Sequence, residues 1–258
     1  MVEANGDTKQ LDQIHTCNLR SRPFHGGVSE GWPPAFEAAS IKLVDWKGTG
    51  APFDVKPSTL RMRQTTIGSC ILWAWNTEDY KVDVPAWVYL PSSGVFDIDA
   101  TAGKPVAEVQ LRLMLQTLLI DRFRLAAHRE KRDLAVYSLS VAKSGFKLHP
   151  STAAVKTSRT NGMASFTYEG FAMSELSAIL SESIVPPPLF GLTKPMVDGT
   201  GLTGRYDITL ANLFREDEMT RWSGFLNDLH RAGLEVTKTT SSFDILVVDH
   251  VEKRPTEN

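Results

Sequence analysis

The sequence has little cysteine, with 2 among 258 residues, Cys17 and Cys70. Two cysteines cannot form the multi-disulfide framework of a small secreted domain, although a single bridge between them stays open. Cys70 shares an apolar helical stripe with Ile67, Ile71 and Ala74. We therefore predict that Cys70 is a buried free thiol.

The sequence also lacks an excess of charge of either sign and lacks long apolar runs. Its 28 basic and 30 acidic side chains give a net charge of −2 and an isoelectric point near 6.3. This balance excludes the basic surface typical of nucleic-acid-binding proteins, so we expect no nucleic-acid partner. No segment reaches the roughly 18 consecutive apolar residues of a membrane-spanning helix. The 18 glycines and 14 prolines are ordinary for a folded globular protein.

Residues 1–30 contain no apolar segment of the kind that signal peptides carry. A chain that starts naturally at Met1 is therefore expected in the cytoplasm, whereas an exported chain trimmed of its leader would have the same sequence. We assign residues 1–33 to an N-terminal extension that precedes the first domain.

Hydrophobic periodicity predicts strands and helices in both halves of the chain. Alternating residues predict strands at 36–43, 60–64, 95–100, 124–128, 135–142, 165–169, 205–210, 234–237 and 243–251. Helical spacing predicts helices near 67–74, 108–122, 173–180 and 219–232. Because several strands follow one another as hairpin-like pairs, we predict an α+β fold with helices packed on mainly antiparallel sheets, rather than a doubly wound parallel sheet.

The order of elements repeats, which predicts an internal duplication of a β-α-β-α-β-β unit. Phe96-Asp97-Ile98 matches Tyr206-Asp207-Ile208 at a spacing of 110 residues, and the helix from Met114 matches the helix from Phe225 at 111. The polar, aperiodic residues 150–164 separate the copies as a linker. The predicted domains are therefore 34–149 and 165–258. The alternative is that two unrelated α+β segments align by chance.

Two short motifs imitate cofactor or catalytic sites. Residues 199–204 (GTGLTG) match the GxGxxG dinucleotide pattern, but they precede a predicted strand instead of opening a helix. Ser140 and Lys143 match SxxK, yet they lie on a predicted strand, which points them to opposite faces. We interpret the glycines as a turn and the SxxK match as chance, and we expect no cofactor.

The histidines offer weak candidates for catalysis. His128 and Glu130 lie on one face of a strand, where an imidazole and a carboxylate could act as an acid–base pair. Asp207 and His250 are further candidates near strand ends. Solvated strand-end charges are the alternative interpretation of these residues. None of the six histidines has the spacing of a metal site, so we predict no metal.

Aromatic residues are concentrated in one segment, and they are the strongest candidates for ligand binding. The candidate ligand-binding residues are Trp73, Trp75, Tyr80, Trp87, Tyr206 and Asp207. Trp73 and Trp75 flank the apolar stripe of the predicted helix rather than lie at its centre. We predict that this segment and the seam between the two repeats bind a small apolar or aromatic ligand. The alternative is that the rings complete a hydrophobic core.

Several phrases resemble an uncharacterised family abundant in Acidobacteria, the Solibacter-type domain of unknown function. They are PAFEAASIKL, GVFDIDA, MLQTLLIDRFRLAAHREKRDLAVYSLSVAKSGFKL, PMVDGTGLTGRYDITL and ILVVDHVEKRPTEN, which span about residues 34–258. Members usually carry an export signal, and some similar domains are attached to a sensor metallopeptidase. The resemblance therefore implies an extracytoplasmic binding or sensing role, and it supplies no catalytic residues.

Two classes of function follow. The first is a non-catalytic small-molecule-binding or sensory module of unknown ligand. The second is an enzyme, such as a hydrolase, lyase or cyclase, whose site is assembled from scattered residues between the repeats. Polar residues converging in a deep pocket would favour the enzyme, and a shallow groove would favour the binding module. The oligomeric state stays open.

Overall fold

The computed structural model describes residues 33–48, 53–160, 165–182, 194–211 and 218–256. In these residues the chain forms four α-helices and eleven strands in antiparallel and mixed sheets, which confirms the predicted α+β class. The chain divides into two compact units. Unit 1 comprises residues 1–131 and 244–258, and unit 2 comprises residues 132–243.

Unit 1 contains an antiparallel sheet and two helices. Its elements in chain order are β1 (Ala38–Val44), β2 (Asp54–Lys56), β3 (Thr59–Thr65), α1 (Ile67–Ala74), β4 (Val82–Asp83), β5 (Val95–Thr101), α2 (Glu108–Phe123) and the start of β6 (Ala126–Val141). The sheet has the strand order β1-β5-β3-β2, and each neighbouring pair is antiparallel. Three short 3₁₀ turns lie between α1 and β5.

Helix α1 shows how local sequence sets the ends of an element. Thr66 is the N-cap residue, and its Oγ1 accepts a hydrogen bond from the Ser69 backbone N–H at 3.2 Å. At the other end, the side chain of Gln116 on α2 donates to the Ala74 carbonyl at 2.8 Å. The prediction for Cys70 is confirmed, because it is a buried free thiol whose pKa burial raises to about 12.

The core of unit 1 lies between its sheet and its two helices. Burial of these apolar side chains is the main stabilising term of the unit. The largest fully buried side chains that the sheet contributes are Leu60, Met62, Phe96 and Ile98, and those of the helices are Ile71, Leu111, Leu115, Leu119 and Phe123. Phe96 and Phe123 meet edge to face, with their ring centroids 5.2 Å apart.

Unit 2 has its own sheet, helices and core. Its elements are the end of β6, β7 (Lys156–Thr160), β8 (Ser165–Ala172), α3 (Met173–Glu182), β9 (Met196–Asp198), β10 (Arg205–Ala211), α4 (Glu218–Arg231) and the start of β11 (Leu234–His250). Strands β10, β8 and β7 form an antiparallel sheet in that order. Its core includes Phe166, Tyr168, Leu176, Phe225 and Leu229.

The structure divides the chain differently from the predicted domains 34–149 and 165–258. Lys156–Thr160, inside the predicted linker 150–164, form the sheet strand β7. An edge strand needs few apolar side chains, so its polar sequence carries no strand signal. The unit boundaries fall within β6 and β11, each of which was predicted as two separate strands. Strand β6 continues through residues 129–134, which lie between the strands predicted at 124–128 and 135–142.

A β-bulge interrupts the pairing of β3 with β5 in unit 1. The register shifts between Met62 and Thr65, so that Arg63 and Gln64 together lie opposite Asp97. Gln64 adopts a left-handed conformation with φ of 48°. Its backbone N–H donates to the side chain of Asp97, with 2.9 Å between N and Oδ1, so this donor has a hydrogen-bond partner. Only Thr65 and Thr66 separate Gln64 from Ile67, the first residue of α1.

The same arrangement occurs in unit 2, between β8 and β10. The register shifts between Tyr168 and Phe171, which leaves Glu169 and Gly170 opposite Asp207. Gly170 has φ of 67°, and its N–H donates to the Asp207 Oδ1 at 2.7 Å. A Cβ at this position would clash with the Ala153 carbonyl oxygen, so the site requires glycine.

The GTGLTG segment connects β9 to β10, as a turn before a strand. Gly201 has φ of 67° with no atom within 4 Å of an added Cβ. The Thr200 N–H and hydroxyl both donate to the Asp198 Oδ1, at 2.9 and 2.7 Å. The glycines therefore precede a strand, and the context that a dinucleotide loop requires, a following helix, is not present at this segment.

We expect both bulge aspartates to stabilise the fold. Asp207→Ala and Asp97→Ala each remove the acceptor for a backbone N–H, so each should lower the free energy of unfolding by about 1 kcal/mol. Asp207→Asn and Asp97→Asn keep an oxygen at the same place and should lose less than half as much. Urea denaturation of the four variants measures this. Equal losses in the alanine and asparagine variants, or none, would contradict the role.

Candidate functional site

One face of the unit 1 sheet is polar, because side chains alternate between the two faces of each strand. Apolar residues of β1, β5 and β3 point to the core. On the opposite face, Ser40, Asp99 and Arg61 lie side by side across the three strands. We call this surface the polar face; it consists of Ser40, Lys42, Asp54, Lys56, Thr59, Arg61, Arg63, Asp97, Asp99 and Thr101.

A shallow cavity of about 310 Å³ opens at one end of the polar face. Small side chains leave the space, since alanine, serine and threonine dominate its wall, and one ion pair borders it. It is lined by Ala38, Ala39, Ser40, Thr59, Arg61, Asp99, Ala100 and Thr101. The cavity thus combines apolar methyl groups with a few hydroxyl and charged groups, which is the usual composition of a small-molecule site.

The charges on the polar face are unequally engaged. Arg63 donates to the Asp99 Oδ1 at 2.5 Å and to the Ile98 carbonyl at 3.3 Å. This hydrogen bond, more than any other contact, holds the pKa of Asp99 below its usual range. Arg61 reaches the same oxygen only with Nε, at 3.5 Å. Among the described residues no hydrogen bond of the Arg61 guanidinium is found, and 54% of its side chain is exposed.

His128 forms a second group of charges, on β6 and β11 within unit 1. Its Nδ1 lies 2.9 Å from the Asp249 Oδ2, and its Nε2 lies 3.9 Å from the Glu130 Oε2. The hydrogen bond to Asp249 is the main reason that the pKa of His128 lies above its ordinary value. The predicted pairing of His128 with Glu130 is therefore present at long distance, and the closer partner, Asp249, was missed.

The other two catalytic candidates lie elsewhere. His250 follows Asp249 on β11, so strand alternation directs its side chain to the opposite face from the Asp249–His128 pair. Asp207 lies in unit 2, where its carboxylate accepts the Gly170 N–H. The structure thus brings together His128, Glu130 and Asp249, and it gives Asp207 a structural contact.

The candidate aromatic residues of unit 1 have protein groups against their rings. Trp75 is only 6% exposed and belongs to the core. Trp73 lies under the Arg112 guanidinium, 4.5 Å from the ring centroid. Trp87 and Tyr80 have Lys253 and Lys81 over their rings, at 5.2 and 5.3 Å. These contacts are consistent with the core interpretation that the sequence left open.

Tyr206 belongs to unit 2, with 8% of its surface exposed. Its ring meets Phe146 edge to face at a centroid distance of 4.8 Å. The prediction that these aromatic residues bind a ligand stays a prediction. The polar face was missed altogether, although alternation of polar residues along β1, β3 and β5 is the signal that could have found it.

The described residues contain no group of three or more histidine, cysteine, aspartate or glutamate side chains that could hold a metal ion. Within the same part of the chain, no helix is long and apolar enough to cross a membrane. The two charged groups of unit 1, the polar face and the His128 pair, are therefore the features on which a functional argument rests.

We expect the His128–Asp249 pair to titrate as a unit. The pKa of His128, measured by NMR, should lie above its ordinary value and fall towards it in Asp249→Asn. Because the folded pKa is raised, the pair stabilises the fold fully below the unfolded pKa and loses this effect as pH rises through the folded pKa. The stability difference between the wild type and Asp249→Asn should therefore be larger at pH 5.5 than at pH 9. A difference independent of pH would refute the pairing.

Comparison with known proteins gives a family and no function. The model of the family described as "Protein of unknown function (DUF3738)" matches residues 68–251, which is more than half of the chain. No curated protein and no solved structure matches. The chain therefore belongs to the DUF3738 family of proteins of unknown function.

Proposed function

We propose that this protein is a non-catalytic small-molecule-binding module and that its ligand occupies the cavity on the polar face of unit 1. The observation that carries the proposal is the cavity itself. Methyl groups lie along its wall, and at its edge lies the Arg61 guanidinium, whose terminal nitrogens have no hydrogen-bond partner among the described residues. Its volume of about 310 Å³ is at the lower end of the range for ligand pockets, which suits a small ligand.

The rigidity of the surrounding elements supports this proposal. Every residue that lines the cavity belongs to β1, β3 or β5, and these strands are hydrogen-bonded to one another over most of their length. Sites built on paired strands hold their side chains more precisely than sites on loops. Binding there requires no rearrangement of the backbone.

We further propose that the two units arose by duplication of one ancestral unit. Each has a strand, a left-handed bulge residue, a helix, a second strand and a second helix in the same order. Each also has an aspartate at the same position of the second strand that accepts the bulge N–H. In unit 1, β1 pairs with β5 on the side away from β3. Among the described residues no strand pairs with β10 on the corresponding side in unit 2, so the proposed site belongs to unit 1.

The resemblance to the Acidobacterial family extends the proposal to cellular context. We propose a bacterial protein with an extracytoplasmic sensing role, in which ligand occupancy is passed to an attached or associated partner. The near-neutral charge of the chain favours a small-molecule ligand over nucleic acid.

Filling the cavity should abolish binding. Ala38→Leu places a larger side chain in the wall, whereas Ala35→Leu makes the same change at an exposed residue outside it. In a fragment screen followed by amide chemical shifts, bound fragments should perturb residues 38–40, 59–61 and 99–101 in the wild type and in Ala35→Leu. In Ala38→Leu these perturbations should disappear. Fragments that perturb other residues and are unaffected by Ala38→Leu would refute the location.

The alternative function is an enzyme, and the His128–Asp249 pair is the observation that favours it. A carboxylate that orients one imidazole nitrogen is a common feature of a general base. If this pair catalyses hydrolysis of, or an elimination reaction on, any member of a substrate panel, His128→Gln should lower the rate at least about 100-fold. His250→Gln, one residue beyond Asp249, is the matched control and should have no effect. Equal activity in both variants excludes His128 as the base.

A further inference from the structure

We propose that the cavity on the polar face recognises the carboxylate of a small monoanionic ligand with an apolar body, and that Arg61 is the residue that binds it. This inference rests on the proposed function, since it names the ligand class of the same cavity. Three observations support it: the different contacts that Arg61 and Arg63 make with Asp99, the net charge of the polar face, and the composition of the cavity wall.

Asp99 is shared by two arginines, and Arg63 makes the shorter contact with it. The Asp99 Oδ1 receives the short hydrogen bond of Arg63, so Arg61 approaches the same atom only with Nε at 3.5 Å. The two terminal nitrogens of Arg61 have no hydrogen-bond partner in the described part of the chain. Their parallel N–H groups match the two oxygens of a carboxylate.

The charge balance of the polar face favours a single negative charge. It carries four cations, Lys42, Lys56, Arg61 and Arg63, and three carboxylates, Asp54, Asp97 and Asp99, which leaves a net charge of +1. A monocarboxylate neutralises this charge. A dianionic phosphate would exceed it and would lie near two carboxylates, whose repulsion offsets part of its attraction to Arg61.

The rest of the wall indicates the remainder of the ligand. Ala38 offers a methyl group on the same face as Arg61, as do Thr59 and Thr101, and the hydroxyl of Ser40 lies on that face too. An apolar body therefore fits beside these methyl groups while its carboxylate meets the guanidinium. Benzoate is the simplest probe of this chemistry, and benzamide has nearly the same shape without the charge.

The test compares benzoate, benzamide and phenyl phosphate by amide chemical-shift titration of the full chain. Benzoate should bind at residues 38–40, 59–61 and 99–101, with benzamide at least about tenfold weaker and phenyl phosphate no tighter than benzoate. Arg61→Gln should weaken benzoate at least about tenfold and leave benzamide unchanged. Lys131→Gln on β6, an exposed lysine that does not line the cavity, is the matched control and should change neither.

A second variant gives an effect of opposite sign. Asp99→Asn removes a negative charge next to the bound carboxylate, so benzoate should bind more tightly while benzamide is unchanged. General destabilisation of the sheet cannot produce opposite changes in Arg61→Gln and Asp99→Asn. The amide spectrum and urea midpoint of each variant establish that it is folded.

The outcomes separate this inference from the proposed function. If benzoate and benzamide bind equally and Ala38→Leu blocks both, the cavity binds ligands but carboxylate recognition is refuted. If phenyl phosphate binds at least tenfold tighter than benzoate, the charge-balance argument is refuted. If no probe perturbs the cavity residues at millimolar concentration, both the inference and the proposed location are overturned.

Discussion

The hydrogen bond between an aspartate and the backbone N–H of a left-handed bulge residue is the interaction on which the rest of this structure depends. Each unit must turn a sheet strand directly into a helix, and the bulge makes the change within two residues. The bulge costs a sheet hydrogen bond, and a carboxylate on the neighbouring strand replaces it. Without that acceptor a backbone N–H near the end of the strand would lose its protein partner in each unit.

In unit 1 the bulge also adjoins the charged residues of the polar face. Arg63, the residue before the left-handed Gln64, donates to both Asp99 and the Ile98 carbonyl on the neighbouring strand. Asp99 is therefore hydrogen-bonded to Arg63. The terminal nitrogens of Arg61, two residues earlier on β3, have no hydrogen-bond partner among the described residues. The proposed ligand site and the bulge that precedes the helix thus lie on the same strands, β3 and β5.

Sequence patterns predicted the elements well and the contacts poorly. The α+β class, the four helices and the turn before β10 follow from periodicity and turn chemistry. The match of the FDI and YDI phrases drew attention to Asp97 and Asp207, but it indicated a ligand role for Asp207. That aspartate binds a backbone N–H whose position depends on a bulge, and no periodicity reveals a bulge when its left-handed residue is a glutamine, as at Gln64.

The polar face was not predicted either, because it too depends on contacts between strands. Ser40, Arg61 and Asp99 are far apart in sequence, and they meet only because β5 pairs with both β1 and β3 in one particular register. Strand order cannot be derived from alternation within single strands. The aromatic segment was conspicuous in sequence, yet its rings lie against the core and against lysine or arginine side chains. Local composition therefore located apolar packing, whereas the charged face required the topology.

The most direct measurement is native-state hydrogen exchange at the backbone amides of Gln64 and Gly170. Our account requires each amide to be bound to an aspartate, and it predicts protection comparable to that of neighbouring sheet amides. It also predicts that Asp97→Ala removes protection at Gln64 alone and that Asp207→Ala removes it at Gly170 alone. Exchange of both amides in the wild type at the rate of exposed loops would contradict the account.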